Sequence, residues 1–204
     1  MDAKAHWEAV YRTKPPTEVS WYQEQPALSL RLIQQSASDR DAPILNVGAG
    51  VSVLQQALVT VGYTDLTAID ISGTALEAAQ AAWGDGANKV RWIEGDILDV
   101  DLPEAHFGLW HDRAVFHFLI EVEAREAYLR QLRHALRPGG HVILATFAED
   151  GPSKCSGLEV QRYSTASLSD ELGADFDPVD AHQEEHRTPG GSTQRFQYLV
   201  CRRR

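Results

Sequence analysis

The stretch Asp41-Ala-Pro-Ile-Leu-Asn-Val-Gly-Ala-Gly-Val-Ser-Val-Leu54 constrains this chain more than any other. Ile44, Leu45 and Val47 form a short apolar run of strand type, which Gly48-Ala49-Gly50 interrupts. Val51, Leu54, Ala57, Leu58 and Val61 then follow at helical spacing, so a helix is expected over 51–60. A strand, a glycine turn and a helix in that order let backbone approach a ligand closely. The N–H groups at the helix start favour a carboxylate or phosphate. Asp70 ends the next apolar stretch, 20 residues beyond Gly50. An acid at the tip of a second strand, at that separation, is placed to accept hydrogen bonds from ribose hydroxyls. These features point to a nucleoside-containing cofactor on a doubly wound sheet.

The third glycine of the dinucleotide pattern is absent, because Val53 stands at that position. This argues against a nicotinamide oxidoreductase. Val90-Arg-Trp-Ile93 reads as a third strand and runs into Glu94-Gly95-Asp96-Ile97. An Asp at that strand end can take the exocyclic amine of an adenine, and Ile97 can cover the ring. Leu136-Arg-Pro-Gly-Gly140 is expected to close a helix ahead of a strand over 142–147.

With these residues in place, the chain resembles the class I S-adenosylmethionine-dependent methyltransferases. The resemblance rests on Asn46-Val-Gly-Ala-Gly50, Ala68-Ile-Asp-Ile-Ser72, Gly95-Asp-Ile97 and Leu136-Arg-Pro-Gly-Gly140, and covers roughly residues 40 to 148. It implies S-adenosylmethionine as cofactor. Gly48 and Gly50 would pass its methionine part, Asp70 would hold its ribose and Asp96 its adenine, with Asn46, Ala49, Ile71 and Ile97 also binding the cofactor. Asn46 stands where the family is usually acidic, and it cannot offer a negative charge to the cofactor's ammonium. The implied fold is α/β: a doubly wound, mostly parallel seven-stranded sheet with helices on both faces and an antiparallel last strand.

At 204 residues one domain is expected, divided into an N-terminal helical lid (1–40), a cofactor-binding core (41–148) and a C-terminal helix and hairpin (149–204). A net charge of −10 disfavours a nucleic-acid substrate. Two cysteines, Cys155 and Cys201, make neither a disulfide framework nor a metal cluster. No apolar run approaches the ~20 residues of a membrane span, and the first residues do not read as a signal peptide. No metal, no membrane and a cytoplasmic location are therefore expected.

The N-terminal segment carries Trp7 and Val10 on one side of a helix, a break at Thr13-Lys-Pro-Pro-Thr17, and then Trp21 and Tyr22. In related methyltransferases such segments fold over the cofactor, so Trp21 and Tyr22 are candidates to close the site; alternatively they cap the sheet edge. Phe107-Gly-Leu-Trp110 reads as the fourth strand and runs into His111-Asp-Arg-Ala-Val-Phe-His-Phe-Leu119. Ligands of open α/β sheets bind beyond the carboxyl ends of the strands. His111, Asp112 and Arg113 are thus candidate catalytic residues, with His111 also beside the cofactor. His111 or His117 is the candidate base. Asp112 would orient a histidine or hold a substrate amine, and Arg113 would hold a carboxylate or pair with Asp112. Phe147 begins a second loop at the same edge. A strand over 175–187, the turn Thr188-Pro-Gly-Gly-Ser192 and a strand over 193–202 complete the sheet.

The acceptor is read as a small molecule, since no appended domain is available to recognise a macromolecule. Asp112-Arg-Ala-Val-Phe116 is similar to a sequence in small protein-lysine methyltransferases, and the His6-Trp7 and Trp21-Tyr22-Gln23 segments look like those of thiopurine and tellurite-resistance types. A protein-lysine substrate is the alternative. A non-catalytic S-adenosylmethionine-binding module is a further one, with Asn46 as its only support.

Overall fold

The computed structural model describes residues 2–204. Seven strands form one sheet: β1 (Ile44–Val47), β2 (Leu66–Asp70), β3 (Arg91–Glu94), β4 (Phe107–Arg113), β5 (Leu136–Phe147), β8 (Phe176–Arg187) and β9 (Thr193–Arg203). Two short strands, β6 (Lys154–Cys155) and β7 (Leu158–Glu159), make a separate hairpin. The spatial order is β3-β2-β1-β4-β5-β9-β8. Every neighbouring pair from β3 to β5 is parallel, while β9 is antiparallel to both β5 and β8. The last strand is therefore the single reversed one, as the sequence predicts. The strand order turns between β1 and β4, which opens a crevice at their carboxyl ends.

Side-chain alternation builds two apolar layers. Ile44, Ala68, Leu109 and Ile143 face Leu32 and Ile33 of α2 (Ala27–Ser36), Leu54 and Leu58 of α3 (Leu54–Thr60), and Leu76 of α4 (Gly73–Trp83). Their sequence neighbours Leu45, Ile69, Trp110 and Leu144 face Tyr128 and Leu132 of α5 (Val122–Ala135) and Leu168 and Leu172 of α6 (Thr165–Leu172). Strands buried on both faces read as continuous apolar runs, which is why β1 and β2 are legible in the sequence. Trp110 and Tyr128 are fully buried, and the Trp110 indole N–H donates to the Tyr128 hydroxyl at 2.8 Å. Burying each such side chain stabilises the fold by about 1.5–3 kcal/mol.

Three boundaries differ from the sequence reading. The helix after the glycine turn begins at Leu54 rather than Val51, because Gly48 and Gly50 both have positive φ (63° and 49°) and carry the chain through a wider turn. Leu136-Arg-Pro-Gly-Gly140 does not end α5; the helix stops at Ala135, and these residues begin β5. Gly139 at φ 77° and the N–H-less Pro138 push the strand out of register, so Phe107 pairs with Leu136 but Leu109 with His141. Finally, β4 continues to Arg113, which puts three of the predicted catalytic residues on a strand rather than in a loop.

α1 (Ala3–Thr13) lies outside both layers and docks on the start of α4. Asp2 caps it, accepting from the Ala5 N–H at 3.2 Å. Glu8 holds it to the sheet side, accepting from the Ser72 hydroxyl at 3.1 Å, the Thr74 N–H at 3.3 Å and the Thr74 hydroxyl. Lys4 pairs with Glu94 at the end of β3 at 2.6 Å.

Candidate active site

The floor of the site comes from the ends of β1, β2 and β3. Asp70 Oδ2 accepts the Gly50 N–H at 2.8 Å and Oδ1 accepts the Ser72 N–H at 2.9 Å. Burial raises this carboxyl from the ordinary aspartate range to about 6, against the lowering effect of those two bonds. Asp96 accepts the Leu98 N–H at 3.0 Å through Oδ1. A Cβ on Gly48 would run into the Val115 side chain, and one on Gly50 would meet the Tyr11 hydroxyl, so neither position admits a side chain. Above this floor is a cavity of about 220 Å³ lined by Gly48, Asp70, Ile71, Asp96 and Ile97.

The roof is aromatic. Trp7 and Tyr11 of α1 share the cavity wall with Trp21 and Phe118. Trp7 lies edge-on to Trp21 at 5.6 Å and to Phe118 at 5.1 Å between ring centroids, and Tyr11 meets Trp21 at 6.0 Å. Such edge-to-face contacts let rings enclose a small volume while keeping contact with one another. Of these four only Trp21 is singled out as a site residue in the sequence. Trp7 and Tyr11 are four apart on α1, which puts both on one helix face. That four-residue spacing is the signal the sequence holds, on a helix where Trp7 and Val10 also share a side. Val115 and Phe118 carry no recognisable sequence signal.

The β4 residues separate by alternation. His111 and Arg113 project to the α2 side of the sheet, and Asp112 to the α5 side. Asp112 is fully buried and lines neither the main cavity nor the one beside it. Its carboxylate accepts from the Val115 N–H (2.8 Å), the Phe116 N–H (3.1 Å) and the Tyr128 hydroxyl (2.6 Å). Its place is thus to shape the turn after β4, and it neither orients a histidine nor pairs with Arg113. Burial raises it to about 6.

His111 sits in a second, smaller cavity of about 50 Å³, together with Asn46, Ala49 and Tyr22. Both of its ring nitrogens are engaged, Nδ1 with Asn46 Oδ1 at 2.7 Å and Nε2 with Ser29 Oγ at 2.9 Å. Burial lowers its pKa to about 3, leaving it neutral. His117 is fully buried away from both cavities, accepts the Phe147 N–H on Nδ1 at 3.2 Å, and is likewise lowered to about 3 by burial. Neither histidine faces the main cavity. Phe147 is in the core against Phe196 at 4.9 Å rather than at the site's edge. Arg113 touches both cavities. It donates to the Tyr198 hydroxyl at 3.0 Å, the Trp21 carbonyl at 3.3 Å and Glu184 at 3.3 Å. Its guanidinium lies 4.1 Å above the Phe196 ring. Cys155 lines the main cavity, its thiol pushed up to about 11 by burial.

Residues 44–140 match the family described as "Methyltransferase domain". The chain is 22% identical over 160 residues to human EEF1A lysine methyltransferase 2, covering 72% of this chain and 68% of that protein. It is 31% identical over 116 residues to an uncharacterized methyltransferase of Mycobacterium tuberculosis. That match takes in 56% of this chain but only about half (54%) of the mycobacterial protein. Among solved structures, Burkholderia thailandensis 1,6-didemethyltoxoflavin-N1-methyltransferase, bound to 1,6-didemethyltoxoflavin and S-adenosylhomocysteine, superposes with a TM-score of 0.69. It shares 22% identity and covers 87% of this chain and 77% of its own, a likeness of fold. Together these likenesses support a class I S-adenosylmethionine-dependent methyltransferase. Its cofactor is S-adenosylmethionine. In this methyltransferase no cluster of His, Cys, Asp and Glu able to hold a metal ion is present among the described residues. No described helix is long and apolar enough to cross a membrane.

Proposed function

We propose that this methyltransferase transfers the methyl group to a small-molecule acceptor held under the aromatic roof. The carrying observation is the main cavity itself: a floor with two carboxylates, Asp70 and Asp96, and a roof of Trp7, Tyr11, Trp21 and Phe118. S-adenosylmethionine supplies a methyl group already activated by its sulfonium. The residues present fit it. Gly48 leaves a cradle that a Cβ would fill, Asp70 offers a buried carboxylate to ribose hydroxyls, and Asp96 with Ile97 flanks the place for an adenine.

Direct displacement asks the protein chiefly to align the acceptor and keep water out. The aromatic rings perform both tasks, and their electron-rich faces favour a cationic or polarisable group. His111 and His117 take no part as bases in this reading, because both are buried neutral and neither faces the main cavity. Arg113 is held by three partners at the wall and would orient a polar group of the acceptor.

A protein-lysine acceptor is the second reading, favoured by the likeness to EEF1A lysine methyltransferase 2. Incubation with methyl-labelled S-adenosylmethionine and a desalted lysate, with and without added small metabolites, separates the two. Label in the small fraction supports the small acceptor. Label in a macromolecular band lost on protease treatment overturns it.

A further inference from the structure

The small cavity beside Gly48 lacks the carboxylates that line the main one. Among its lining residues Arg113 alone carries a charge, and none is an Asp or Glu. Glu184, the nearest carboxylate to Arg113, is engaged with Arg113 and the Tyr198 hydroxyl. Three buried polar side chains form a chain along the wall: Ser29, His111 and Asn46, exposed by 1%, 2% and 4%.

Asn46 turns its Oδ1, not its Nδ2, toward His111, and that orientation sets the direction of these bonds. Asn46 Oδ1 only accepts, so the proton between it and His111 lies on Nδ1. His111 Nε2 is then an acceptor, and the Ser29 hydroxyl donates to it. With Oδ1 occupied, Asn46 has only its Nδ2 hydrogens left to offer. Among the described residues no protein atom accepts them, and Asn46 lines the cavity.

We propose that Asn46, locked by His111, presents its amide N–H groups to a carboxylate, the one at the amino-acid end of the cofactor. An acid at this position would instead meet the ammonium; here the cavity selects the other end of the same zwitterion. Asn46 binds the carboxylate, and His111 is a positioning residue that never touches the ligand. The inference rests on the cofactor placement proposed above, with Gly48 between the two cavities.

Calorimetry with S-adenosylhomocysteine and its decarboxylated analogue, which keeps the ammonium, tests it. The wild-type protein is expected to prefer S-adenosylhomocysteine by about tenfold or more, the worth of one charged hydrogen-bond set. Asn46→Ala should collapse that preference, and Asn46→Asp should invert it by repelling the carboxylate. Nitrogen NMR of the His111 ring should show a protonated Nδ1 in the free protein; a proton on Nε2 instead would turn Asn46 Oδ1 to the cavity and overturn the proposal. Asp70→Ala should weaken both ligands equally. Equal affinities in the wild type would place the recognised carboxylate elsewhere, on the acceptor or nowhere, and overturn the proposal. Tighter S-adenosylhomocysteine binding by Asn46→Asp would overturn it as well. If Asp70→Ala changes neither affinity, the cofactor placement itself fails, and the proposal with it.

Discussion

Asp70 Oδ2 accepts the Gly50 N–H at 2.8 Å, so the acid that ends β2 also fixes the turn that follows β1. Two parts of the chain 20 residues apart become one surface. Asp70→Ala is expected to weaken S-adenosylhomocysteine binding by about 1–3 kcal/mol through lost charged hydrogen bonds. Burial holds this carboxyl near 6, so the ionised acceptor is lost as pH falls through that value. Affinity measured between pH 7.5 and 5 should therefore decline toward acid in the wild type. Asp70→Asn should remove that part of the slope; an unchanged slope would exclude Asp70 as its source.

Gly48 is the position where the backbone leaves no room. Its φ of 63° disfavours a side chain by about 1–2 kcal/mol, and a Cβ there would overlap Val115. Gly48→Ala should lower stability in urea by at least that amount and abolish ligand binding. Adding Val115→Ala should recover the part due to overlap but not the backbone part. Full recovery would show that φ contributes nothing.

Asp112 and Tyr128 are predicted to matter for stability and not for ligand affinity. Asp112→Ala orphans two backbone N–H groups and the Tyr128 hydroxyl, at a cost of about 1–3 kcal/mol or more in denaturation. The folded-state pKa is raised to about 6 from 3.8, so the protonated form is favoured by folding. The stabilising contribution is complete below the unfolded value and is lost as pH rises through about 6. Asp112→Asn should flatten that portion of the stability profile. A variant that folds normally yet loses affinity for S-adenosylhomocysteine would return Asp112 to the site.

Glu8 latches α1 over the site through Ser72 and Thr74. Those bonds lower its pKa, the Thr74 hydroxyl foremost, so the latch is intact above the ordinary glutamate range and released as pH falls below it. Glu8→Ala should speed amide exchange across residues 3–13 and raise the dissociation rate of S-adenosylhomocysteine, with little change in the core. Exchange in α1 at the wild-type rate would show that other contacts hold the helix.

The floor of the site was legible because local chemistry forces it. Gly48 and Gly50 break an apolar strand, Asp70 follows at the spacing that a strand-helix-strand unit demands, and Ser72 caps α4 as its position predicts, accepting the Ala75 N–H at 3.2 Å. The hairpin of β8 and β9 was equally plain from Thr188-Pro-Gly-Gly-Ser192 between two strand-like runs. The residues after Trp110 were not. Read as a loop, His111, Asp112 and Arg113 share one edge; as a strand, alternation sends Asp112 to the opposite layer. Nothing in the local pattern distinguishes the two, because β4 extends to Arg113 through pairing with β5, a partner about 30 residues away.

The order of strands and helices, the glycine turn and the acids at the strand ends are written into the chain's local chemistry. All of these follow from period, punctuation and backbone freedom within a few residues. Which side chains meet depends instead on how the layers pack. That packing brought Trp7, Tyr11, Trp21 and Phe118 together from three separate segments, and it joined Ser29 to His111 to Asn46 across α2, β4 and β1. It also left both histidines neutral, since burial is a property of the packed layers and not of any stretch of chain.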